Sequence, residues 1–194
     1  MSEQLSFPGF EPTARATDSV FLALTPPDAK LPLIAEHIQS LRQTHGLRGK
    51  SLTPSCLHLS LHSLGIYDGL PFGLVETVNT AMAKVAVPPF GVTFESALSF
   101  FNKRSTKPVV LRAGGDTAAL LELHRVLGAA MTRAGLGRHV MRYFTPHMTL
   151  LYDRRLVEEH AIATFGWTVT DVVLVHSLIG RGRHIHLARW PLRQ

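Results

Sequence analysis

Two tetrapeptides constrain this chain more than anything else in it: His58-Leu-Ser-Leu61 and His147-Met-Thr-Leu150. Each sits in an apolar stretch and pairs a histidine with a hydroxyl two residues on. In a β-strand, residues i and i+2 point to one face. His58 and Ser60 therefore share a face, and so do His147 and Thr149. Leu57, Leu59 and Leu61 point the other way, as do Met148 and Leu150. Each strand gains an apolar back for a core and a polar front with one imidazole and one hydroxyl. Laid side by side, the two strands make a site of two histidines and two hydroxyls.

An internal repeat argues that they are laid side by side. Val20–Leu24 reads as a strand, and Thr25-Pro-Pro-Asp28 as a turn and helix start. Leu31, Ile34, Ile38 and Leu41 follow at helical spacing. Pro32 is tolerated if that helix begins near Asp28, because first-turn N–H groups lack partners. The second half repeats the order. Pro108–Arg112 reads as a strand, Asp116 as an N-cap, and Leu120, Leu123, Leu127 and Met131 as a helix closed by Gly135 and Gly137. From Leu22 to His58 is 36 positions, and from Val110 to His147 is 37. Two strand–helix–strand units thus carry the same tetrapeptide at nearly one offset, and two-fold pseudosymmetry would bring the motifs together.

The other segments alternate in the same way. Residues 71–85 read as a helix, with Leu74, Val78 and Met82 at four-residue steps. Residues 90–101 read as a strand, 102–107 as a basic turn, and 156–163 as a short helix. Trp167–Leu178 and Ile185–Trp190 read as a hairpin around Gly180–Arg183, with both tryptophans in the core. Short turns and hairpins favour antiparallel sheets, hence an α+β class. Residues 1–17 read as a tail and 18–194 as a single two-lobed domain, expected to be a monomer. The lone cysteine, Cys56, excludes a disulfide within the chain and fits a reducing compartment. No apolar run is long enough to cross a bilayer and no signal-peptide pattern opens the chain, so the expected location is cytoplasmic. Twenty basic against 14 acidic side chains give a formal charge of +6, which suits a polyanionic partner such as RNA.

Taken together, these segments resemble the 2H phosphoesterase family, and within it the RNA 2′,3′-cyclic phosphodiesterases also called 2′-5′ RNA ligases. VFLALTPPD resembles that group's first strand and turn, LHLSLHSLG its first motif and FTPHMTLLYD its second. WTVTDVVLVHSLIGRGRHIHLARWPL resembles its C-terminal hairpin. The resemblance implies a bilobal fold, with two largely antiparallel sheets around a central cleft and helices outside. It also implies a reaction without metal or cofactor. Many members carry Phe five residues after the first histidine, to stack a base, and Arg five after the second, to contact phosphate. Ser63 and Tyr152 stand at those positions here.

The chemistry follows from the residues. Hydrolysis of a cyclic phosphodiester needs a water relieved of a proton and a leaving oxygen supplied with one. Two histidines titrating near neutrality can do both, as His58 and His147 would here. Ser60 and Thr149 would hydrogen-bond the non-bridging phosphate oxygens. Alternation places His62 on the same face, where it would line the cleft or its rim. Tyr152, Lys103 and Arg104 are further candidates for substrate contact, with Lys107, Arg181 and Arg183 as neighbouring charges. His184-x-His186 resembles a metal pair without a third ligand, so no metal is expected. The expected activity is metal-independent hydrolysis of RNA 2′,3′-cyclic phosphate ends to 2′-phosphates, with ATP-independent 2′-5′ ligation as the related reaction. Expected partners are RNA ends, tRNA fragments among them, or a small cyclic nucleotide. The alternatives are a small cyclic phosphate such as ADP-ribose 1″,2″-cyclic phosphate, a non-catalytic RNA-binding module and, more remotely, a metal hydrolase.

Overall fold

The computed structural model describes residues 17–194. Residues 1–16, most of the expected tail, lie outside the described residues. Thr17 already joins the sheet: its N–H donates to the Tyr67 carbonyl and its own carbonyl accepts from Ile179.

Among the described residues eight strands, β1 (Asp18–Leu24), β2 (Leu59–Tyr67), β3 (Phe90–Ser99), β4 (Lys107–Ala113), β5 (His147–Asp153), β6 (His160–Val169), β7 (Asp171–Leu178) and β8 (Arg183–Pro191), lie in the order β6-β3-β4-β5-β2-β1-β7-β8. Every registered pairing is antiparallel. The α+β class is borne out. The two expected sheets are four-stranded halves joined edge to edge, and one registered pair, Leu59 with Met148, joins them.

Three α-helices complete the fold among the described residues: α1 (Leu31–His45), α2 (Leu74–Met82) and α3 (Ala118–Arg133). Pro32 falls in the first turn of α1, where its missing N–H costs nothing. Helix α3 is capped one residue later than expected. Thr117 is its N-cap, and the Asp116 carboxylate instead accepts the Ala118 N–H. The helices cross between halves. Although α1 follows β1, His37 on it stacks on Phe165 of β6, at 4.8 Å between ring centroids. Although α3 follows β4, His124 on it stacks on His62 of β2 at 4.0 Å. Leu22, Leu24, Leu59, Leu61, Leu111, Met148 and Leu150 turn to the helices and form the main core. Phe21, Ala23, Val173 and Val175 form a small second cluster on the opposite, open face.

Two assignments from sequence are corrected. Residues 156–163 do not form a helix; β6 begins at His160 as an edge strand whose first residues are mostly exposed, so Phe165 and Trp167 carry its burial. Trp167–Leu178 is not one strand. It breaks at Thr170, and β6 and β7 end in different halves of the sheet. Trp167 is buried and Trp190 half-buried against the core, as expected.

Candidate active site

The two motifs meet at the seam between the halves. The pairing of Leu59 with Met148 sets Ser60 opposite His147, and Thr149 opposite His58, by antiparallel register. Leu59 and Met148 are fully buried on the helix side, so these four side chains share the open face. The histidines are diagonal neighbours, for which backbone separations run to about 7–8 Å. That leaves space between the imidazoles for one phosphate group. The flanking register is two-fold symmetric. Ala23 pairs with Ser60 as Val110 does with Thr149, and Leu24 with Leu59 as Leu111 does with Met148. The counterpart of Leu22 is Val109, one residue before the Val110 that the sequence offset selects.

Each histidine is oriented by its own backbone. His58 Nδ1 lies 2.8 Å from the Cys56 carbonyl, and His147 Nδ1 lies 2.7 Å from the Thr145 carbonyl. A carbonyl only accepts, so each Nδ1 carries the proton and each Nε2 is left for the cleft. The surroundings then differ. His58 stacks on Phe21 at 4.7 Å and meets the edge of His184 at 5.1 Å, whereas His147 meets the edge of Phe100 at 4.7 Å. Burial lowers the His58 pKa against the opposing bond to Cys56, and the nearby His147 lowers it further. Burial, with His58 and then His186 adding to it, lowers His184 to about 4. His184 is therefore neutral near pH 7.

His62 is not in the cleft. Between Ser60 and His62 the pairing of β2 with β1 slips by one residue, a β-bulge at Leu61. The slip turns His62 to the helix side, where it is fully buried. Its Nδ1 accepts the Met141 N–H, so its Nε2 donates to the His124 carbonyl at 2.9 Å. The same slip occurs in β5 at Leu150. Five residues after each histidine the chain faces the cleft again, at Ser63 and Tyr152, and both are exposed.

Lys103 and Arg104 lie in the exposed β3–β4 loop, apart from the four motif side chains. The Lys107 ammonium donates to the Arg104 carbonyl and sits over the Phe101 ring. The loop flanks the cleft because Phe100, at its start, touches His147. Four further cleft residues escape sequence reasoning: Phe21, Phe100, His184 and Arg112. Arg112 pairs with His147 in the strand register and holds an ion pair with Glu159. Alternation from Val110 along β4 points to Arg112, given knowledge that β4 borders β5. Alternation from Ala23 along β1 points to Phe21 in the same way, whereas Phe100 and His184 depend on loop and hairpin paths. A hollow of about 250 Å³ between residues 25–28 and 167–171 contains none of the motif side chains. The site is an open face of the sheet defined by its chemistry.

The model of the 2′-5′ RNA ligase superfamily matches residues 26–180. No curated protein matches the sequence. Among solved structures, one described as a phosphoesterase superposes with a TM-score of 0.72 at 26% identity, covering 91% of this chain and 99% of its own. LigT from E. coli, in complex with 3′-AMP, gives 0.71 at 25% identity, covering 92% and 99%. A protein of Thermus thermophilus, TT0787, gives 0.70 at 21% identity, covering 90% and 98%, which is a likeness of fold.

Proposed function

This chain belongs to the 2′-5′ RNA ligase superfamily, and from that premise we propose that it hydrolyses 2′,3′-cyclic phosphate at RNA ends to a 2′-phosphate. The observation that carries the reading is the two-fold pairing of the motifs at the seam, which points two imidazole Nε2 atoms and two hydroxyls at one place. Ser60 and Thr149 hydrogen-bond the non-bridging oxygens, where charge grows as water adds to phosphorus. One neutral histidine takes the proton of the attacking water. The other, protonated, delivers its proton to the ribose 3′ oxygen as the P–O3′ bond breaks. With a 5′-hydroxyl replacing water, the same two groups run the 2′-5′ ligation, and no nucleoside triphosphate enters the balance. The +6 charge and the basic loops flanking the cleft suit an RNA strand.

The test is turnover of 2′,3′-cyclic AMP with product analysis. His58→Ala and His147→Ala are each expected to cut kcat by about 10²-fold or more. The double variant should be little worse than the poorer single one, because both groups act in one proton relay. Excess EDTA should leave the rate unchanged. Near-wild-type turnover by His58→Ala, with activity abolished by EDTA, would overturn the reading.

A further inference from the structure

We propose that a second subsite, built around Tyr152, binds the nucleotide upstream of the cyclic-phosphate end, making the preferred substrate an RNA strand rather than a free cyclic nucleotide. This rests on the function proposed above. The bulge at Leu150 turns Tyr152 to the cleft face, three residues along β5 from Thr149. At strand rise that is about 10 Å, the reach of one or two nucleotides. The Tyr152 side of the molecule holds a cavity of about 350 Å³, lined also by Arg48, Gly49, Thr106, Arg154 and Arg155.

Its charge is one-sided. Arg48 and Arg154 are exposed, and among the described residues no carboxylate pairs with either. The carboxylate in the lining, Asp153, is buried and turned inward. It accepts the N–H groups of Arg48, Gly49 and Arg155 at 2.5–2.8 Å. Those bonds tie the loop after α1 to the end of β5. The Ser51–Leu151 bridge and the Leu52 N–H on the Leu150 carbonyl extend the tie. The walls are therefore set before a ligand arrives. An exposed phenol ring beside unpaired guanidinium groups suits a nucleobase stacked on the ring and a phosphodiester on the arginines. At the far end of the cleft the matching position is Ser63, which offers no ring. That asymmetry directs the strand toward Tyr152.

The experiment compares kcat/KM for 2′,3′-cyclic AMP with that for a tri-adenylate ending in 2′,3′-cyclic phosphate. The wild-type protein should prefer the tri-adenylate. In Tyr152→Ala the oligonucleotide-to-mononucleotide ratio should fall about 10-fold, mainly through KM, the order that one stacked base contributes. Tyr152→Phe should keep the ratio, and Arg154→Gln should flatten the salt dependence of the tri-adenylate KM. An unchanged ratio in Tyr152→Ala overturns the subsite. A wild-type protein active on cyclic AMP but indifferent to upstream nucleotides overturns the subsite alone. Inactivity on both substrates overturns the hydrolase reading beneath it as well.

Discussion

Around His58, Phe21 and His184 take the place of water, and the imidazole titrates lower for it. The consequence does not depend on which histidine gives the proton and which takes it. A site that works with one proton shared between two imidazoles is active between their two pKa values. The acidic limb of its pH profile belongs to the more acidic partner. The acidic limb of kcat/KM should therefore report His58 and lie below the ordinary imidazole value of 6.5. His184→Ala admits water beside His58, favours its charged form and should move that limb upward. A pH–rate profile of the variant checks this, and an unmoved limb would mean that His184 does not set the environment of His58. The motif residues were legible in the sequence because alternation alone places them. His184 was visible only as half of a weak metal pair, because its partner lies 126 positions away, counted from His58.

At the level of elements, most helices and strands were legible from periodicity, and the failures have local causes. Strict alternation sets His62 on the open face, at the cleft or its rim, but a β-bulge breaks the alternation; nothing in Ser60-Leu-His62 announces one. Residues 156–163 carry Glu158, Glu159 and two alanines, which suit a helix, yet pairing with β3 overrides that preference. The loop after α1 holds only one short 3-10 turn, Pro54–Cys56, but its earlier part completes the seam by pairing with β5 where β2 diverges. Gly49 permits this. A Cβ there would press on the Tyr152 carbonyl, which is backbone and cannot swing aside. Gly49→Ala should therefore destabilise the fold by about 1–3 kcal/mol, the usual range for overpacking. Urea unfolding should show a lower midpoint with an unchanged slope. A variant as stable as wild type would mean that the loop does not hold against β5.

Across the whole molecule, the halves share one registered strand pair, so the crossing helices must supply much of their union. Helix α3 does so through a column of flat rings. His62 of β2 stacks on His124 of α3, and His124 lies parallel to Phe144 at 4.2 Å, just ahead of the second motif. Burial, and next the neighbouring His62, lowers His124 from 6.5 to about 4. The unfolded chain thus binds a proton that the folded chain refuses, and wherever that holds stability falls as the pH falls. His124 contributes its full share above 6.5, loses it as pH drops from there toward 4, and loses no more below. Burial also lowers His62, in the same direction. Asp18 is separable from them. Hydrogen bonds from Thr17 and His176 lower it from 3.8 to about 2, so its contribution is lost only below 3.8. Urea midpoints measured from pH 7 to 4.5 should therefore decline in the wild-type protein. They should decline less steeply in His124→Phe, which keeps a flat ring between His62 and Phe144 and leaves the backbone carbonyl that His62 bonds. The readout is the slope with pH, so a change in absolute stability does not confuse it. Equal slopes in the two proteins would show that His124 carries no part of the acid sensitivity.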